Sequence, residues 1–196
     1  EDGEMEIPVN GGVHLKNINI VGDHLSKYDS MLMLSHFKGH AMGGFGGALK
    51  NMSIGVASSN GKAWIHSVGR TKDPAKMWSL IDDQDGFLES MAEADKAVVD
   101  CMEKENMAYI NVLNNISIDC DCDSNPHDPE MKDIGIVASL DPVAIDKCCY
   151  DLIINSEDSG KASLINRMKE KNAFHIIETA EELGLGLQEY ELINID

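Results

Sequence analysis

Long apolar runs are missing from this sequence. No stretch reaches the roughly 18 apolar residues a membrane-spanning helix needs, so no transmembrane helix is expected. Bases are scarce: 16 Lys and Arg stand against 34 Asp and Glu, a net charge of −18. Such a surface repels phosphate backbones, which makes nucleic acid a poor partner. Cysteines number five, an odd count in a chain of this length, and none lies in a C-x-x-C pair. That excludes a disulfide framework, favours a reducing, cytoplasmic compartment, and leaves no ligand set for a ferredoxin-type 4Fe-4S cluster. The opening EDGEMEIPV has neither a basic start nor an apolar core, so it is not a signal peptide. The chain also lacks an initiator Met and begins in a β-like run, which leads us to expect the carboxy-terminal part of a longer protein.

What is present reads as an ordinary globular core. Residues 5–21 suggest two short strands around Asn10-Gly11-Gly12. MLMLSHF (31–37), AWIHSV (63–68), YINVLNNISI (109–118) and IGIVASL (134–140) read as strands, with 31–37 and 134–140 fully buried. A helix can open at Ala48, and residues 69–86 form a polar crossover with one short helix from Asp73 or Pro74. Phe87, Met91, Ala94, Val98, Cys101 and Met102 keep helical spacing over 87–103. Asp141-Pro142 caps a helix running to about Ile154, with Asp146 a first-turn acid. Residues 161–170 and 172–183 are helical, and the closing EYELINI alternates like a last strand. Strands alternating with helices predict an α/β fold, a layered α/β/α sheet of mixed direction in one domain spanning 1–196.

Two segments carry chemistry. In SHFKGHAMGGFGGALKN (35–51), His36 and His40 offer proton transfer. Gly43, Gly44, Gly46 and Gly47 let backbone approach a cofactor, and Lys50 supplies a point charge or an amine nucleophile. No Ser or Thr follows Lys50, so this is not a phosphate-binding Walker loop. The alternative is a glycine-rich turn bearing surface histidines. Neutral imidazole suits nickel, zinc or iron; from its local context His66 reads as a buried polar residue of a strand. In ISIDCDCDSNPHD (116–128), Cys120, Cys122 and His127 can hold such a divalent transition metal with a fourth ligand from elsewhere. If the segment is extended, both thiols point to one side. An acidic loop with chance cysteines is the alternative. Cys101, Cys148 and Cys149 are assigned to core packing.

SHFKGH, GGFGGALKN, GKAWIHS, FLESMAEADKAV, YINVLNNI, CDCD, DIGIVASLDPVAID and GLGLQEYELI together resemble the family called domain of unknown function 362. Its members are usually longer at the amino end, and many carry two iron–sulfur clusters between the segments matching GKAWIHS and FLESMAEA. Here that interval is the cysteine-free crossover 68–86, so the resemblance implies at most a separate ferredoxin-type redox partner. More distantly, the chain resembles the nickel-dependent lactate racemases. Lys50 follows His40 by ten residues, His66-Ser67 follows Lys50 by sixteen, and Gly44-Phe45-Gly46-Gly47 precedes Lys50. That likeness implies Lys50 as tether of a nickel-pincer nucleotide, His66 as metal ligand and His40 as acid–base catalyst. Gly46 and Ala48 depart from its pattern. Two functions follow as expectations. One is a metal- or cofactor-binding isomerase or oxidoreductase acting on a small hydroxy acid. The other is a non-catalytic or electron-transfer-associated metal-binding module.

Overall fold

The computed structural model describes residues 3–195. Its centre is a three-stranded mixed sheet in the order β3-β6-β7. β3 (Met31–His36) runs parallel to β6 (Met107–Leu113), and β7 (Gly135–Ser139) runs antiparallel to β6. Alternation along β6 buries Met107, Tyr109, Asn111 and Leu113 on one face. The opposite face is open: Leu32 and Leu34 are 55% and 60% exposed, and Ile136 is 68% exposed. The apolar runs at 31–37 and 134–140 therefore make half-buried strands and not the fully buried ones expected.

A second sheet, β1 (Glu4–Pro8) with β2 (Ile18–Gly22), is antiparallel. Its strands are joined by a long connection over 9–17, where the Asn-Gly-Gly signal suggested a tight turn. The carboxylate of Glu93 organises that connection by accepting the amides of Val13, His14 and Leu15 at 2.6, 3.0 and 2.8 Å. The third sheet is the hairpin of β4 (Lys38–His40) and β5 (Gly44–Gly46). It leads into α1 (Ala48–Lys50), which continues as a π-helical turn over Asn51–Gly55.

AWIHSV is helix, a correction to the strand expected there: α2 spans Ser59–His66. Six residues with three apolar ones in a row do not separate the two periods, and the stop signals of S-S-N-G turn out to be a cap. Ser58 accepts the amide of Gly61 at 3.0 Å. A Cβ on Gly61 would sit 1.9 Å from the carbonyl oxygen of Ile20, so only glycine lets α2 lie against β2. The crossover contains α3 (Pro74–Met77), capped by Asp73.

α4 (Gln84–Met102) is the long core helix, capped by Asp83 and buried along Phe87, Leu88, Met91, Ala94, Val98 and Met102. α5 (Pro142–Asn155) starts at the expected Asp141 cap, whose carboxylate takes the amides of Val143 and Ala144 at 2.9 Å each. Cys148 and Cys149 are buried on it. Asp146 is a deeper residue than a first-turn acid. Fully buried, it caps α1 from across the core, accepting from Ala48 and Leu49 at 2.8 and 3.0 Å and from Asn111 at 2.7 Å. Burial nonetheless raises its carboxyl to about 6 against those hydrogen bonds. α6 (Ala162–Glu170) packs on β4 and β5, and α7 (His175–Glu182) packs on α4 and ends near Gly184, whose φ is +76°. The closing segment 189–195 forms no strand. Among the described residues no helix is long and apolar enough to cross a membrane.

Candidate metal centre

The centre begins with a glycine. Gly39 donates its amide to the carbonyl of Ser117 at 2.8 Å, and a Cβ there would stand 2.0 Å from the carbonyl oxygen of Ile118. This close passage lays the segment 117–122 against β4. It brings a ring nitrogen of His40 and the sulfurs of Cys120 and Cys122 within 4.8 Å of one another. His40 and Cys120 are buried, Cys122 is exposed, and all five cysteines are free thiols.

The two histidines near this centre are held in opposite senses. Nδ1 of His40 accepts the amides of Gly43 and Met42 at 2.9 and 3.2 Å. Its neutral ring therefore carries hydrogen on Nε2, and ligation of a metal through Nε2 requires that proton to leave. Burial, then the charges of Lys50, His66, Lys38 and Arg167, push its pKa down to about 3. His66 sits in the last turn of α2, its ring stacked on Phe87 at 4.9 Å. Its Nδ1 lies 2.7 Å from the carbonyl oxygen of Lys62, so Nδ1–H donates and Nε2 keeps a free lone pair. Burial is the main cause lowering its pKa, with Lys50 adding to it and the Lys62 hydrogen bond opposing. One imidazole thus offers a donor and the other an acceptor.

Lys50 belongs to the same neighbourhood, since its charge acts on His40, His66 and Cys122. Its chain passes Gly46, where a Cβ would be 3.7 Å from Cδ, and its ammonium makes no hydrogen bond or ion pair among the described residues. The Cys122 thiol is pushed up by burial and by its hydrogen bond and charge coupling with Cys120, against the pull of Lys50. The amide of Cys122 in turn approaches the Cys120 sulfur at 3.4 Å.

Several expected site residues serve other ends. Nδ1 of His36 meets Asp121 at 2.9 Å and Nε2 meets the carbonyl oxygen of Asn114 at 2.7 Å, while Lys38 reaches the same Asp121 carboxylate at 2.9 Å. His36 therefore pins the residue between the two cysteines and does not face the thiols. His127, expected beside Cys120 and Cys122, projects to solvent and pairs with Asp119 at 2.5 Å; His40 takes the place beside the sulfurs. Of the glycines, Gly44 and Gly47 are filled by protein. Their Cβ atoms would lie 2.4 Å from Ala173 Cβ and from Asp146 Oδ1 respectively. Gly43 gives its amide to His40, and Gly46 borders Lys50. Asp121, which the sequence offers as a carboxylate ligand beside the cysteines, pairs with His36 and Lys38 instead. The sequence reading missed Gly39 and Arg167: a glycine between two apolar-flanked polar residues was the only signal for the first, and nothing local announced the second.

No curated protein and no solved structure matches the chain. The family described as domain of unknown function (DUF362) matches residues 1–151, the stretch that contains His40, Lys50, His66, Cys120 and Cys122, and the chain belongs to that family.

Proposed function

We propose that this protein binds one divalent transition metal at Cys120, Cys122 and His40, and that Lys50 and His66 beside it act on a small ligand. The observation carrying this is the approach of three soft or borderline ligands from segments 80 residues apart, all within 4.8 Å. Ligands of a zinc-sized ion, at about 2.3 Å for sulfur and 2.0–2.1 Å for nitrogen, stand roughly 3.5–3.8 Å from each other. Closing this site onto a metal thus takes about an ångström of movement, which the exposed Cys122 side permits. Thiolate and imidazole together select zinc, nickel or iron over hard cations. Five free cysteines support a reducing, cytoplasmic setting.

An enzymatic role is favoured over a non-catalytic or electron-transfer-associated module because of His66 and Lys50. A free lone pair on the buried His66 ring, and an ammonium with no acid partner among the described residues, are not needed to hold a structural metal. They suit moving the hydroxyl proton of a small hydroxy acid, and an organic cofactor held at Lys50 would supply the acceptor for the carbon-bound hydrogen. The spacing shared with the lactate racemases supports Lys50 as a cofactor anchor in such a reaction.

The test loads the reduced full chain with zinc, nickel or ferrous ion under anaerobic conditions and counts metal after desalting. About one ion per chain is expected, lost in the Cys120→Ser, Cys122→Ser double variant and kept in His127→Ala. Metal retained by the double variant would defeat the assignment.

A further inference from the structure

We infer that the same neighbourhood contains an anion-recognition site in which Lys50 and Arg167 receive a carboxylate or phosphate group. This names a ligand class for the site proposed above and rests on that reading for its biological meaning, though not for its test.

Lys50, half-buried, makes no hydrogen bond or ion pair among the described residues. Arg167 is the sharper case. Its Nη1 is buried and has no hydrogen-bond partner. The nearest carboxylate oxygen, Oδ1 of Asp119, is 3.5 Å away, an ion pair too long to satisfy the donor. The other oxygen of Asp119 is engaged by the amide and Nδ1 of His127. A guanidinium presents five N–H donors in a fork suited to a bidentate oxyanion, and an unsatisfied buried donor is costly.

Position does the rest. α6 carries Arg167 onto the β4–β5 hairpin, which bears His40 and guides Lys50 past Gly46. Lys38, committed to Asp121, adds a further positive field on His40. Arg167 lies beyond residues 1–151, so this recognition element comes from outside the family-matched part of the chain.

The test uses metal-free full chain at constant ionic strength, titrated with sodium phosphate and with sodium acetate against a sodium chloride control. Amide shifts are followed by nuclear magnetic resonance. Saturable shifts at Gly43, Cys122 and Arg167 with either oxyanion, and none with chloride, are expected. Acetate alone would identify a carboxylate ligand and phosphate alone a phosphorylated one. Lys50→Met and Arg167→Met should each weaken binding about tenfold, and Lys50→Arg should restore most of it. Should Arg167→Met fold poorly, Arg167→Lys, which keeps charge but loses the fork, should still weaken binding. No saturation with either anion, or affinity unchanged in both Met variants, would overturn the inference. Because the protein is metal-free throughout, failure of the metal assignment leaves this result readable on its own.

Discussion

Gly39 and Ser117 are joined by an amide-to-carbonyl hydrogen bond of 2.8 Å, with no room for a side chain where their backbones meet. This contact sets the distance between His40 and the two thiols. Gly39→Ala places a methyl group 2.0 Å from a backbone oxygen that cannot rotate away, so the strand or the loop must shift. The expected cost is about 1–3 kcal/mol in urea denaturation, the range for overpacking a tight interior contact. Gly46→Ala is the control: its new Cβ meets only Lys50 Cδ, at an ordinary 3.7 Å, and should cost less than about 1 kcal/mol. Equal losses in the two variants would mean that the Gly39 passage is not the constraint.

Asp95, on α4, has both carboxyl oxygens buried and without hydrogen-bond partners. Burial first, and the charge of Asp146 second, hold its pKa well above the usual carboxylate range. A native pKa above the unfolded one means that the folded protein keeps a proton the unfolded chain has released. Stability then falls as pH rises from about 4 through the native value and is level beyond it. Asp146, raised to about 6, contributes with the same sign over the lower part of that window. Denaturation of wild type and Asp95→Asn at about pH 5 and about pH 8 isolates the first term. The wild type should lose more stability than the variant between the two values. Identical pH responses would sink the assignment of a proton to Asp95.

The architecture was legible wherever a local signal was strong and uncontested. Asp141-Pro142 opened α5 as a cap and first-turn proline must, and the apolar spacing of 87–102 made α4. AWIHSV failed because its Ala63, Trp64, Ile65 and His66 are all buried, and a helix enclosed on every side has no periodicity to display. Leu32, Leu34 and Ile136 misled in the other direction: their hydrophobicity suggested burial, yet the face they share is open. For the site, the spacing shared with the lactate racemases singled out His40, Lys50 and His66, and the charges of these three residues act on one another. That His40 and not His127 stands beside Cys120 and Cys122 depends on a contact between residues 39 and 117. A partner that close in space but that far along the chain leaves no mark on local sequence.

Glu89 provides a last, independent test, because it ties the connection 9–17 to α7, which lies past the family-matched residues. One carboxylate oxygen meets Nε2 of His14 and the other meets Nε2 of His175 at 2.8 Å. Burial alone would raise the Glu89 pKa, but the hydrogen bonds from His175 and His14 outweigh it and hold the group low. Burial would likewise lower the His175 pKa, and the hydrogen bond and charge of Glu89 outweigh that and hold it high. The two shifts define a window. The His175 contribution is complete below its ordinary value of about 6.5 and fades as pH rises through the raised native value. The Glu89 contribution is complete above about 4.5 and fades as pH falls through the lowered one. The clamp is therefore strongest near pH 6 and weaker in base. Glu89→Gln should lower the melting temperature more at about pH 6 than at about pH 8.5, with a stability loss of about 1 kcal/mol or less for so accessible a group. If the loss is the same at both values, Glu89 holds the two histidines by packing and neutral hydrogen bonds alone, and the charge argument fails.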